Sequence, residues 1–169
     1  VFSGGLDWQR NGVTIREAGH ASSLLAAEAR RIIEAQPTEQ PFFMLLAFNA
    51  PHTPLEEPDG SGRGHSGRET LVRMISHLDS EIGSVLNVID RKGLREDTLI
   101  MFVSDNGGSA PKPWLLEFLI PPLRDGYSDN GPLRQGKGSV FEGGIRVPSV
   151  VSWPGTIAGA SINRSPLHC

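Results

Sequence analysis

The sequence predicts an α/β fold in which helices flank a mostly parallel sheet. Two long segments, 22–35 and 69–90, carry apolar residues at helical spacing. Three short apolar runs, at 42–48, 98–104 and 147–153, have the composition of buried strands. Because strands alternate with helices along the chain, the connections are expected to be crossovers between parallel neighbours.

The composition excludes two classes of protein. The chain has 169 residues, 38% of them hydrophobic, which suits one folded domain with a sizeable core. The net charge of −3 offers no basic surface of the kind that binds nucleic acid. No apolar run approaches the roughly 20 residues that cross a bilayer. The single cysteine, Cys169, cannot form a disulfide within the chain and is expected to be a structural thiol.

The first half of the chain is predicted to contain one helix, one strand and one rigid loop. Residues 1–20 are rich in glycine and polar residues and are expected to be loop. The helix at 22–35 ends before Pro37, and the continuous apolar run at 42–48 is typical of a strand buried on both faces. Three prolines in the segment NAPHTPLEEP that follows exclude regular structure there.

The second half contains the clearest helical pattern, at 69–90, and Gly93 is predicted to close that helix as a left-handed cap. The strands at 98–104 and 147–153 follow. Between them, residues 109–130 have no clear period and are predicted to be an insertion bordering a substrate cleft. With no internal repeat and no domain boundary, residues 1–169 are expected to form one partial domain.

Two residues suited to metal binding follow the strand predicted at 98–104. In open α/β sheets, ligands bind beyond the carboxyl ends of the strands, where Asp105 and Asn106 are expected to lie. Their oxygens suit Ca²⁺ or Mg²⁺, and the glycines after them allow a sharp turn. The alternative is a simple tight turn, because Asp-Asn-Gly is common in turns.

A histidine, His52, follows the strand predicted at 42–48 and lies between prolines. A stiff loop at the end of a strand is suited to holding a catalytic group in place. The alternative is a histidine that only forms hydrogen bonds with carbonyl groups of its own loop.

A lysine in a glycine-rich segment, Lys137, is the third candidate. Residues 131–137 fit G-x-x-x-x-G-K, the start of a nucleotide-binding P-loop. Gly138 stands where a P-loop has Ser or Thr, and the preceding segment does not resemble a strand, so nucleotide binding is disfavoured. A lysine among glycines still suits a tetrahedral oxyanion, through its charge and the nearby backbone N–H groups. The alternative is a solvated surface lysine.

The chain resembles the sulfatase family in three segments that keep the family's order and spacing: PFFMLLAFNAPHTPL, HLDSEIGSVLNVIDRKGLREDTLIMFVSDNGG and GPLRQGKGSVFEGGIRVPSVVSWPG. The resemblance runs from about Asp7 to the end, and DWQRNG is similar to the arylsulfatase B type within the family. It implies an alkaline-phosphatase-like α/β fold. It also implies hydrolysis of a sulfate ester by a formylglycine nucleophile beside a Ca²⁺ ion.

The resemblance also implies a role for each candidate residue. Asp105 and Asn106 match two calcium ligands, His52 matches the histidine that protonates the leaving alcohol, and Lys137 matches the lysine that binds the sulfate. These residues are therefore expected to converge on one side of the sheet. The expected substrate is a sulfated small molecule or a sulfated glycan, and the expected location is exported, periplasmic or lysosomal.

Parts of the family pattern have no counterpart in these residues. Two further calcium-binding aspartates and the C-x-P-x-R-type motif that yields formylglycine are not found. The chain is therefore expected to be the central part of a sulfatase, without the amino-terminal nucleophile region and the carboxyl-terminal region, and inactive by itself. A phosphoester or phosphonate hydrolase of the same fold and a non-catalytic remnant are the alternatives.

Overall fold

The structure is a computed structural model that describes residues 8–60, 67–109 and 128–165. Its elements, in chain order, are β1 Gln9–Arg10, β2 Val13–Thr14, α1 Ala21–Ala35, α2 Gly67–Arg91, β3 Ile100–Val103, α3 Glu142–Ile145 and β4 Ser149–Ser152. Cys169 and most of the insertion predicted at 109–130 lie outside the described residues. Within the described part of the chain, no helix is long and apolar enough to cross a membrane.

The first element is a short antiparallel hairpin, in which Gln9 pairs with Thr14. Residues 1–20 were expected to be loop, and that prediction is wrong for this segment. Asn11 and Gly12 both have positive φ, 51° and 79°, as a two-residue hairpin turn of type I′ requires. The Asn-Gly pair in the sequence was the available signal for this hairpin.

Both long helices agree with their predictions. The ring of His20 caps α1, because its Nδ1 accepts a hydrogen bond from the N–H of Ser22 at 3.3 Å. α2 ends in a Schellman motif, in which the N–H of Leu94 donates to the carbonyl of Ile89 at 3.0 Å. Gly93 has a φ of 69°, so the predicted glycine cap is confirmed.

The core lies between α1 and α2. Its buried members come from one face of each helix: Ala26, Ala29, Ile33, Val85, Val88 and Ile89. Burying side chains of the size of Ile33 or Val88 contributes about 1.5–3 kcal/mol each. The helix pair is also joined by polar contacts at its surface, such as the ion pair of Arg30 with Glu81 at 3.2 Å.

The apolar run at 42–48 forms no regular element and pairs with no strand among the described residues. Met44, Leu46 and Phe48 pack against the helical core, whereas Phe43 is 92% exposed and Leu45 is 82% exposed. The prediction of a strand buried on both faces is therefore wrong here. A continuous apolar run does not specify which face is covered, and the neighbours needed for a ladder are not among the described residues.

The strands β3 and β4 pair in antiparallel register, with Met101 opposite Val151 and Phe102 opposite Val150. The sheet was expected to be mostly parallel, but both strand pairs in the described residues are antiparallel. The antiparallel pairing of β3 and β4 follows from the place at which the chain returns to β3. The segment before β4 lies beside the carboxyl end of β3, where the N–H of Ser104 donates to the carbonyl of Pro148, so β4 starts where β3 ends.

Candidate functional site

The loop that follows β3, residues 104–109, is called the Asp105 loop here. Asp105 is exposed, two residues past the carboxyl end of β3 at Val103, and no described residue pairs with its carboxylate. The amide Nδ2 of Asn106 donates to the carbonyl of Gly107 at 2.9 Å, and no described donor contacts its Oδ1. The loop therefore offers two oxygen acceptors, one of them charged.

Glycines let this loop pack against another backbone segment. A Cβ atom on Gly107 would collide with the carbonyl oxygen of Gly143, and one on Gly143 would collide with the carbonyls of Arg134 and Gln135. The N–H of Gly107 donates to the carbonyl of Gly144 at 2.9 Å. The glycine pair in EGGI is thus needed for close approach, a role that sequence reasoning missed.

The segment that contacts the Asp105 loop is residues 131–141, called the Lys137 loop here. The N–H of Lys137 donates to the carbonyl of Gly108 at 3.0 Å. The side chain of Lys137 is partly buried, and its ammonium has no acceptor within the described part of the chain. Nearby, the guanidinium of Arg134 lies 3.7 Å from the ring centroid of Phe141. The Lys137 loop, which carries this cation, is therefore bonded through its backbone to the loop that carries the two oxygen acceptors.

The same geometry argues against a P-loop. A P-loop lysine belongs to the start of a helix that follows the glycine-rich turn. Here turns continue after Lys137, Gly138 takes a φ of 85°, and the four-residue α3 begins only at Glu142. The loop therefore does not have the form of a nucleotide-binding site.

A second missed residue, Asn130, connects the two loops. Its Oδ1 accepts from the N–H of Gly108 at 3.0 Å, and its Nδ2 donates to the carbonyls of Gly108 and Gln135, each at 3.0 Å. The next N–H along the chain, that of Gly131, donates to Oδ1 of Asp129 at 2.8 Å. The sequence pattern predicts only the end of an insertion at Asn130, because a lone polar residue there gives no periodic signal.

The loop that carries His52, residues 49–60, is called the His52 loop here. The ring Nδ1 of His52 lies 2.7 Å from the carbonyl oxygen of Thr53. Because a carbonyl only accepts, Nδ1 carries the proton of this bond, and Nε2 is the ring nitrogen that this bond does not use. The side chain is exposed, so Nε2 is open to a substrate.

The His52 loop is anchored to α2 by a buried carboxylate. The side chain of Glu57 is only 4% exposed. It accepts from the hydroxyl of Thr70 at 2.9 Å and from Nε of Arg73 at 2.6 Å. A buried charge needs such partners to be tolerated, and these two fix the loop to the helix.

The structure thus connects some of the predicted site residues by hydrogen bonds. The Asp105 loop and the Lys137 loop are joined directly. In the described residues, no hydrogen bond joins the His52 loop to either of them. The convergence of all three therefore stays a prediction.

The residues present fit part of a calcium site. Among the described residues there is no group of three or more His, Cys, Asp or Glu that could hold a metal ion. Asp105 and Asn106 supply two hard oxygens, one of them charged, which is a suitable fraction of the 6–8 oxygens that Ca²⁺ typically takes.

Comparison with known proteins identifies sulfatases as relatives of this chain. The family model described as Sulfatase matches residues 6–167. N-acetylgalactosamine-6-sulfatase of Mus musculus is 32% identical over 152 residues, covering 88% of this chain and 27% of that protein. Arylsulfatase A of Homo sapiens is 36% identical over 125 residues, covering 74% of this chain and 22% of that protein. The chain thus spans about a quarter of the length of these curated relatives.

A solved structure has the same fold. The crystal structure of Ps i-CgsB in complex with k-i-k-neocarrahexaose matches with a TM-score of 0.68 and 32% identity, covering 86% of this chain and 30% of that one. This likeness confirms the alkaline-phosphatase-like α/β fold, of which the described residues form a part. Because the family model covers nearly the whole sequence, the chain belongs to the sulfatase family.

Proposed function

We propose that the intact protein is a sulfuric ester hydrolase that acts on a sulfated small molecule or a sulfated glycan. The names of its relatives support the reaction class, since they include N-acetylgalactosamine-6-sulfatase and arylsulfatase A. The structural neighbour in complex with k-i-k-neocarrahexaose supports a glycan substrate.

One observation carries the proposal. The ammonium of Lys137 has no acceptor among the described residues, and its backbone N–H is bonded to the same loop that presents Asp105 and Asn106. A sulfate needs a cation on its oxygens, and negative charge builds up on those oxygens and on the leaving oxygen during hydrolysis. A lysine held in advance stabilises this charge without reorganisation.

His52 has the chemistry of a general acid in this scheme. Its Nδ1 proton is engaged by Thr53, so Nε2 is the atom that delivers a proton to the departing alcohol. The ring is exposed, and the anchor through Glu57 limits the movement of its loop.

Asp105 and Asn106 would hold a Ca²⁺ ion together with ligands from elsewhere in the protein. A calcium ion held there would supply positive charge for binding and polarising the sulfate group. The expected nucleophile, a formylglycine, has no counterpart in these 169 residues.

The test is hydrolysis of nitrophenyl sulfate by the purified intact protein, with nitrophenyl phosphate as the comparison substrate. Lys137→Ala should lower kcat/KM for the sulfate by about 10²–10³, the usual cost of losing one group that stabilises oxyanion charge. Lys92→Ala is the matched control, because the ammonium of Lys92 is already bonded to the carbonyls of Glu34 and Gln36. Faster hydrolysis of the phosphate, or an equal loss in the two variants, would contradict the proposal.

The calcium assignment needs its own test. A chelator selective for Ca²⁺ should abolish hydrolysis, and added Ca²⁺ should restore it. Asp105→Asn should raise the Ca²⁺ concentration needed for half-maximal activity, because the site loses a charge. Full activity in the chelated protein would exclude calcium.

A further inference from the structure

Asn130 is placed to control the geometry between the two loops of the site. Its side-chain amide pairs with the backbone of Gly108 as a neighbouring strand would, accepting from the N–H and donating to the carbonyl, both at 3.0 Å. The same carbonyl of Gly108 also accepts from the N–H of Lys137 at 3.0 Å. One carbonyl group therefore connects Asn130, the Asp105 loop and the Lys137 loop.

A third hydrogen bond of Asn130 acts on the Lys137 loop itself. Nδ2 donates to the carbonyl of Gln135 at 3.0 Å, and Gln135 has a φ of 60°. A residue with a side chain rarely adopts this left-handed conformation, and the surrounding contacts must hold it there. Asn130 supplies one of these contacts, to Gln135, which lies two residues before Lys137.

We propose that Asn130 is a positioning residue that fixes the ammonium of Lys137 relative to the oxygens of Asp105 and Asn106. This inference rests on the proposed function, in which Lys137 binds the sulfate. Asn130 itself has no role in the chemical step, since its amide atoms are used in bonds to the backbone.

The expected effect is on substrate binding. In the intact protein, Asn130→Ala should raise KM for nitrophenyl sulfate by about tenfold, the scale of one or two lost hydrogen bonds, with a smaller change in kcat. Asn130→Asp keeps the acceptor for Gly108 but places a carboxylate against two carbonyl oxygens, so we expect it to be at least as impaired. Asn163→Ala is the matched control, because the Oδ1 of Asn163 accepts only from the nearby N–H of Ser165.

A double-mutant cycle distinguishes the positioning of the Lys137 ammonium from a general loosening of the two loops. If Asn130 acts by orienting the Lys137 ammonium, Asn130→Ala should change KM little in a Lys137→Ala background, since no ammonium remains to be oriented. Additive increases in KM in the double variant would overturn the inference while leaving the proposed function intact.

Hydrogen exchange gives a readout that needs no activity. The N–H of Lys137 donates to Gly108 and not to Asn130, so its acceptor is still present in Asn130→Ala. We expect this amide to exchange faster in Asn130→Ala than in Asn163→Ala, because the geometry of the two loops is loosened. Unchanged exchange at Lys137 would reject the positioning role. Faster exchange in a protein that hydrolyses no sulfate ester would support positioning and contradict the proposed function.

Discussion

At the scale of single residues, the state of His52 is set by one hydrogen bond. The carbonyl of Thr53 accepts the Nδ1 proton, so the lone pair of the neutral ring lies on Nε2. The fixed tautomer suits a residue that gives a proton to an oxygen approaching from solvent.

The first prediction concerns His52 in the intact protein. His52→Ala should lower turnover by about 10²–10⁴, the usual contribution of a positioned general acid. The loss should be largest for alkyl or sugar sulfates and smaller for nitrophenyl sulfate, whose leaving group needs little protonation. Steady-state kinetics on the two substrate types measures the difference. Equal losses on both would make His52 a binding residue rather than an acid.

At the scale of secondary structure, the start of α1 is joined to α2 by a pair of histidines. The rings of His20 and His77 meet edge to face, with centroids 5.0 Å apart, and His77 Nε2 is 2.9 Å from the hydroxyl of Ser23. Burial, together with the charge of His77, lowers the pKa of His20, although Glu56 and Glu81 oppose this effect. The cap of α1 is therefore more stable with a neutral ring.

This arrangement predicts a pH dependence of stability. Since the pKa of His20 is lower in the folded state, the unfolded chain binds more protons, and the stabilisation is present above the unfolded pKa and lost as the pH falls through the folded one. His20→Asn keeps a capping side chain but removes the titration. Its free energy of unfolding should therefore decrease less than that of the parent as the pH falls from about 8 to about 5. Chemical denaturation measures this, and parallel curves for the two proteins would contradict it.

At the scale of the whole chain, the run at 42–48 and the strand β3 leave large apolar side chains exposed among the described residues. Met44 and Leu46 face the helical core, while Phe43, Leu45 and Met101 are 92%, 82% and 64% exposed. An apolar surface of this kind marks a contact site or a risk of aggregation.

We expect this 169-residue chain to be poorly soluble when expressed alone. Phe43→Ser with Leu45→Thr should increase its soluble, monomeric fraction in light scattering and size-exclusion chromatography, because the exposed apolar area decreases. Met44→Ser is the control. The side chain of Met44 packs against the helical core, so this variant should instead destabilise the fold. If the double variant aggregates as readily as the parent, the exposed face is not the cause.

The helices were predictable because each has a long apolar stripe and α2 has a terminal glycine, both local signals. The sheet was less predictable. Strand direction depends on where the chain returns, and the hydrogen bond between Ser104 and Pro148 that fixes the start of β4 joins residues far apart in the sequence. The run at 42–48 shows the same limit, since its composition did not reveal which face would be covered.

For the candidate site, sequence reasoning singled out residues that carry charge or a titratable ring, whose roles stay predictions. It missed the residues that anchor their loops. Asp105 and Lys137 stand out by residue type and by their glycine-rich surroundings. Asn130, Glu57 and Gly143 act through contacts with distant segments, and a single sequence contains no signal for such contacts.

Two asparagines of the site, Asn106 and Asn130, are each followed by glycine, and this has a consequence for how the protein ages. In an Asn-Gly pair the glycine nitrogen can attack the side-chain carbonyl carbon, expelling ammonia. Water then opens the resulting succinimide to aspartate or isoaspartate. Here the N–H groups of Gly107 and Gly131 donate to Gly144 and Asp129, and we expect these bonds to slow the attack.

Loss of these hydrogen bonds should lead to deamidation, which is irreversible. Asp129→Ala frees the N–H of Gly131 and should speed deamidation at Asn130, while Asn106 in the same molecule serves as the internal reference. Peptide mass spectrometry after storage at mildly alkaline pH measures both sites. If Asn130 deamidates no faster in Asp129→Ala than in the parent, the hydrogen bond is not protective. A faster rate would show that the hydrogen bond of the turn at Asp129 protects Asn130, and with it the site, from chemical damage.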